Sequence, residues 1–417
     1  MPQSSRLTFA PEVTRLPSGI TVVTDHVPSV DSAAVGIWVK AGTRDEPKDQ
    51  SGVAHLVEHT SFRRTTTRSN KKIAREFEDV GAYSNAYTTK EETCYYVRTL
   101  SEHVERVMST LTDIVANPVF DPRDIEKERS IITEEIRSYE DEAEELIFDL
   151  GERQLFGNHP LGAPIVGTVE SILEISADDV RAFHDRYYHG RSLVVTASGK
   201  VDHDQIVRLA GALLQSVSPT NHRASRRSPR PLPPSEQVIE KHVQQAHLLW
   251  HVRTEGHHSP HRAAMMLLNV ILGDGVSSRL NMRIRESSGI AYSIYSQLQL
   301  FQDVGTWSIY AGLDEKRMTK IQSLLDRELN DIAQNGVTMV ELNRAKEQLR
   351  ASKIMSLESL SSRMSLLGKG LMDEGKPEDP YATIDEIRNV TMDEINALAH
   401  QMCRPVDWSR CLVLPQS

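Results

Sequence analysis

The chain has 417 residues, 39% hydrophobic and 25% charged, with a formal net charge of −10. That is too long for one ordinary core and suits two domains of roughly 200 residues in a soluble globular protein. The acidic balance argues against a nucleic-acid partner. Three scattered cysteines, Cys94, Cys403 and Cys411, exclude both a disulfide framework and a cysteine-held zinc site, and favour a reducing compartment.

The opening residues, MPQSSRLTFAPEVTRL, have no apolar core of a secretory signal and are too short and unpatterned for a transit peptide. No stretch approaches the roughly 18 consecutive apolar residues that would span a membrane. The expectation is a cytoplasmic protein without a membrane partner. A β-rich run at 20–23 and a second at 33–40 (AAVGIWVK) are followed by an apolar helical stretch over 52–59. A strand pair then starts at Gly81 (GAYSNAYTTKEETCYYV), and a long helix covers 123–139.

Residues 215–237 (QSVSPTNHRASRRSPRPLPPSEQ) are rich in Pro, Ser and Arg and poor in large apolar side chains. They predict an exposed linker, with the basic stretch HRASRRSPR solvated. Beyond it the order of elements returns. A β-rich run lies at 246–252, an apolar helix at 263–272, Gly-started strands follow from Gly289, and a long helix covers 339–357. The fold class is therefore α+β, with two tandem homologous units of antiparallel-rich sheet, each packing its helices on one face. The units are 1–214 and 238–417, joined by the linker.

The first unit carries chemistry that the second lacks. In SGVAHLVEHTSF, His55 and His59 are i and i+4 on a helix, so their imidazoles leave one face a turn apart. Two nitrogens can then reach one tetrahedral zinc, while Glu58 borders the same face as a general base. This is the H-x-x-E-H order, the reverse of H-E-x-x-H. A third ligand must come from elsewhere, and the helix DIEKERSIITEEIRSYEDE offers many acids. Its apolar stripe is Ile125, Ile132, Ile136 and Tyr139; Glu128 and Glu135 fall inside it, whereas Glu126 and Glu134 fall outside. Carboxylates on a core-facing stripe are unfavourable unless paired or metal-bound. Glu135 is thus the expected third ligand and Glu128 the acid that orients a ligand histidine. The matching helix at 263–272 has no histidine and no acid, and Ala345 and Ser352 stand where Glu128 and Glu135 would fall. The fold itself does not demand the set. A lone H-x-x-E-H can still arise by chance.

These segments, with AVGIWVKAGTRDE, EKERSIITEEI, ILGDGVSSRL and RESSGIAYS, resemble the insulinase/pitrilysin family of zinc peptidases, the inverzincins that include mitochondrial processing peptidase. The resemblance runs over nearly the whole chain and is to a half-length, bacterial-type member. It implies one zinc per chain on His55, His59 and Glu135, Glu58 as base and Glu128 two turns before the ligand carboxylate. It further implies that Asn85 and Ala86 sit on an edge strand that pairs with an extended peptide. Arg285 and Tyr292 match an Arg/Tyr pair that helps bind substrate and stabilise the reacting carbonyl. The implied reaction is endopeptidase hydrolysis of short or unfolded peptides, Glu58 taking the proton of the attacking water, inside a chamber closed by a homodimer, or by a heterodimer with a related subunit, with Arg285 and Tyr292 facing the partner chain's zinc. Two departures bear on substrate preference: Thr60 replaces a Met common in the family, and RRTTTRS follows Phe62. Competing readings are a non-catalytic structural or partner subunit of the same family, and a metal-dependent hydrolase of a non-peptide bond.

Overall fold

A computed structural model describes residues 8–219 and 226–416; residues 220–225 of the predicted linker lie outside the described residues. The chain forms two compact units. The first comprises the residues up to Ile136, Pro164–Arg226 and Met355–Asp379. The second comprises Arg137–Ala163, Arg227–Ile354 and the residues from Pro380 onward. Each unit thus takes in one segment from the far side of the linker.

The sheet of the first unit contains β1 (Glu12–Arg15), β2 (Thr21–His26), β3 (Ser32–Val39), β4 (Tyr83–Thr88), β5 (Thr93–Leu100) and β6 (Leu193–Gly199), in the order β1-β2-β6-β3-β5-β4. Only β2 and β6 pair in parallel. Strand β3 lies between β5 and β6, with Trp38 opposite Cys94 on one side and Val194 on the other. Its residues are apolar on both faces because both are covered. Val35, Ile37 and Val39 join the main core, which also holds Leu56, Val57, Leu111, Ile125 and Ile132. Ala34 and Trp38 face a second cluster with Met364 and Leu367 from the helix Leu360–Asp373. The sequence reading put helices on one face of the sheet; the structure adds this helix on the other. Gly368 makes the contact possible, since a Cβ there would lie 2.1 Å from Trp38 Cε2.

The second unit repeats the plan. Its strands are β7 (Glu236–Lys241), β8 (Ala246–Glu255), β9 (Ala291–Leu300), β10 (Val304–Leu313) and β11 (Ser409–Pro415), ordered β7-β11-β8-β10-β9. Substituting β2, β6, β3, β5 and β4 for these in turn reproduces the first sheet apart from its edge strand β1, including one parallel pair at the same place, β7 with β11. The helix Ala143–Phe156 covers the face that Leu360–Asp373 covers in the first unit, with Gly151 against Leu249 and His251. This correspondence establishes the internal repeat at the level of topology.

Two sequence expectations change. Strand β7 starts at Glu236, inside the predicted linker. Arg226, expected to be solvated, is 10% exposed at its side chain and holds Asp45 through bonds of 3.0 and 2.7 Å. The three cysteines are buried and unbonded. Among the described residues, no helix is long and apolar enough to cross a membrane.

Candidate metal centre

The helix Val53–Ser61 drives Val53, Ala54, Leu56 and Val57 into the main core. That fixes its rotation and turns His55, Glu58 and His59 toward the helix Pro122–Asp141. The second helix buries Ile125, Glu128, Ile132 and Ile136 on one stripe, while Tyr139, one turn further on, is exposed. The apolar stripe therefore ends at Ile136, and Glu135 sits at its edge, half-buried.

The two helices bring three donors together. Nε2 of His55 lies 4.0 Å from Glu135 Oε1, and Nε2 of His59 lies 3.8 Å from Glu135 Oε2. One ligand atom from each of the three falls within 4.8 Å of the others, and among the described residues this is the one group of its kind. The donor set suits zinc, which takes imidazole nitrogen and carboxylate oxygen. Both side nitrogens are consistent with that use. His59 Nδ1 donates to Glu128 Oε2 at 2.9 Å, which leaves Nε2 with its lone pair toward Glu135. His55 Nδ1 is buried without a hydrogen-bond partner, and burial pushes the His55 pKa down to about 3, so this imidazole is neutral and able to coordinate.

The charges are arranged around that core. Burial alone would push Glu128 up, but its bonds from His59 and Arg63 Nε outweigh it and hold the carboxyl below the usual range. Burial would push His59 down, but the Glu128 bond together with the charges of Glu58, Glu128 and Glu135 outweighs it, so His59 is raised. Glu135 and Glu58 are both raised, chiefly by burial. Glu58 Oε2 accepts a bond of 2.6 Å from the Thr88 hydroxyl, at the end of β4. Thr60, the position that departs from the family pattern, is buried and donates to Leu56 O at 2.6 Å, so it belongs to the helix backbone and the core.

Asn85 and Ala86 lie on β4, which among the described residues pairs with β5 alone and leaves its other edge open. The Ala86 N–H is met by Asn85 Oδ1 at 2.9 Å. Arg285 and Tyr292 belong to the second unit. Arg285 lies in a π-helical turn, Asn281–Glu286, the kind of irregularity that recurs at functional sites, and its guanidinium reaches Asn281 Oδ1 at 3.4 Å. Tyr292, near the start of β9, is 68% exposed. Sequence reasoning missed Thr88 and Arg63. Arg63 follows His59 by one helical turn, which was the available signal; Thr88 carried none beyond its place on the Asn85 strand.

A family model described as Insulinase (Peptidase family M16) matches residues 21–169, and one described as Peptidase M16 inactive domain matches residues 174–349. The chain belongs to peptidase family M16. One M16 relative, from Mycobacterium leprae, is 38% identical over 93% of this chain and 88% of its own length; another, from Bacillus subtilis, is 32% identical over 95% and 97%. Both are described as uncharacterized zinc proteases. The fold matches a solved peptidase M16 inactive domain from Pseudomonas fluorescens with a TM-score of 0.92 at 20% identity, covering 98% of both chains. A protease from Helicobacter pylori matches with a TM-score of 0.89 at 19% identity over 98% of this chain and 100% of that one.

Proposed function

We propose that the chain is a zinc-dependent endopeptidase that hydrolyses short or unfolded peptides in a dimeric chamber. The observation that carries this reading is the convergence of His55, His59 and Glu135 within 4.8 Å, with Glu58 on the same helix and an open strand edge ending at the residue that holds Glu58. One zinc per chain would be held by His55, His59 and Glu135. When bound, zinc supplies Lewis acidity, polarising a carbonyl and acidifying water.

The chain's own residues do the rest. An extended peptide adds to the free edge of β4 near Asn85 and Ala86, displacing the Asn85 amide from the Ala86 N–H. Glu58 takes the proton from the attacking water and returns it to the leaving amine. Burial raises the proton affinity of Glu58, which suits that task, and the Thr88 hydroxyl fixes the oxygen that performs it. Glu128 holds His59 in the tautomer a ligand needs, and Arg63 holds Glu128. Tyr292 and Arg285 donate to the developing oxyanion from the partner chain.

Mixing two inactive chains tests the shared site. Glu58→Gln and Arg285→Ala should each be inactive alone. A mixed dimer would hold one intact zinc set facing one intact Arg285, so activity should return toward about a quarter of wild type for random pairing of equal amounts. A mixture as inactive as its parts, from chains shown to exchange, would remove the dimeric arrangement and leave the metal site standing. Full activity in Arg285→Ala alone would remove that residue's role.

A further inference from the structure

The helix that carries His55, Glu58 and His59 begins without a side-chain cap of its own. Its N-cap is Gly52, at φ +92°, where a hydroxyl or carboxylate would ordinarily accept the first free N–H groups. No larger residue fits. A Cβ on Gly52 would lie 2.8 Å from Val166 O and 3.0 Å from Gly167 Cα, and one on Gly167 would lie 2.5 Å from Ser51 O. Ser171 Oγ closes the same contact, donating to Ser51 O at 2.7 Å. The close approach that seats the helix has removed the residue that would cap it.

Glu46 supplies the cap from six residues upstream. Its Oε2 accepts from Gly52 N at 3.0 Å and its Oε1 from Ala54 N at 2.9 Å. Each oxygen satisfies one amide at the positive end of the helix, beside His55. Part of the residue reaches solvent, yet the carboxyl is enclosed enough that burial pushes it up to about 8, against the pull of the two N–H groups and Lys90. The segment before it is itself anchored. Asp45 accepts from Gly42 N at 3.0 Å and is gripped by Arg226, and its carbonyl accepts from the Tyr187 hydroxyl at 2.8 Å. Thr43 N and Arg44 N donate to Thr89 O and Lys90 O, at 3.1 and 2.7 Å. The residue preceding Thr89 is Thr88, which holds Glu58. One anchored segment, 42–46, therefore registers both the start of the ligand helix and the strand end that orients the base.

We propose that Glu46 is a positioning residue of the metal centre, fixing the first turn of the helix Val53–Ser61 so that His55 and Glu58 keep their places relative to Glu135. This rests on the zinc-peptidase reading of the site. In Glu46→Gln one oxygen becomes an amide donor facing a backbone donor, so one of the two bonds is lost without change of size. Three readouts on the full chain near pH 9, where the Glu46 carboxyl is ionised, test it: zinc affinity by chelator competition, kcat and KM on a fluorogenic peptide, and amide exchange across Val53–Ser61 in the metal-free chain. The expected result is zinc affinity weakened roughly tenfold, kcat lowered with KM within about twofold, and first-turn exchange faster by about fivefold. Glu46→Asp, which keeps the carboxylate, should recover part of each change. Zinc affinity, kcat and exchange all within about twofold of wild type would overturn the proposal. If Glu46→Gln does not fold, Glu46→Asp carries the test: its shorter side chain should lose part of the cap, and first-turn exchange indistinguishable from wild type would overturn the proposal. A wild-type chain that bound no zinc would bring down the metal reading, and this proposal with it; exchange unaffected by Glu46→Gln in a zinc-binding chain would overturn the cap alone.

Discussion

Glu128 is the residue whose loss should separate metal holding from folding most cleanly. Its carboxylate accepts the His59 Nδ1–H at 2.9 Å and the Arg63 Nε–H, and it is 5% exposed at its side chain. A hydrogen bond to a charged group contributes about 1.5–3 kcal/mol, against about 0.5–1.5 for a neutral one. Glu128→Gln keeps a neutral acceptor for His59, so roughly 1–1.5 kcal/mol of the orienting interaction goes, equivalent to about tenfold in zinc affinity. Glu128→Ala removes the acceptor altogether and should approach a hundredfold, the upper end for partners that orient a ligand histidine. The assay is competition with a fluorescent zinc chelator at a fixed pH near 8, on chains whose far-ultraviolet circular dichroism matches wild type. Arg63→Ala should show a smaller loss in the same direction, because Glu128 would keep His59 while losing its own anchor. Wild-type zinc affinity in both Glu128 variants would refute the assignment of His59 Nε2 as a ligand atom held from behind.

Three further outcomes follow from the same contacts. Thr88→Val removes the 2.6 Å bond that fixes Glu58 Oε2, and kcat should fall by about tenfold or more while zinc content stays at the wild-type level; loss of zinc together with activity would show that Thr88 acts on the metal set instead. Arg363 and Asp25 form a 2.6 Å ion pair, 2% and 1% exposed at their side chains, so Arg363→Ala should destabilise the chain by about 3–5 kcal/mol in denaturant titration, and a change under 1 would contradict the buried pairing. Burial pushes His251 down to about 3. The unfolded chain therefore takes up a proton near pH 6.5 that the folded chain refuses; stability is fully present above that pH and is lost as pH falls toward 3, by at most about 1.4 kcal/mol per pH unit. His251→Gln should flatten melting temperature against pH between 6.5 and 4, and an unchanged slope would count against a neutral buried His251.

What the sequence revealed and what it hid divide along physical lines. His55, Glu58 and His59 were legible because a helix converts i, i+3 and i+4 spacing into one face, and that needs no tertiary information. Glu128 and Glu135 were legible because a carboxylate on an apolar stripe demands a partner, even though Tyr139 turned out to lie beyond the buried part of that stripe. The repeat was legible from the order of elements and is now visible as one strand order used twice. Glu46, Thr88 and Arg63 escaped as functional residues because an acid, a threonine and an arginine in loops and strand ends have no distinguishing pattern; their roles exist only once the chain has folded around them. The helices Ala143–Phe156 and Leu360–Asp373 escaped for a related reason. Each lies on one side of the linker in sequence and joins the unit built mainly from the other, and amphipathic periodicity does not say against which sheet a helix will pack. Arg226 read as solvated for lack of any sign that Asp45 would meet it.

Metal content and cleavage of a quenched fluorescent peptide library, measured side by side on wild type and Glu58→Gln, test the central claim most directly. The account predicts one zinc per chain in both proteins, and cleavage by wild type alone. Absence of zinc from the wild-type chain, or cleavage undiminished in Glu58→Gln, would contradict it.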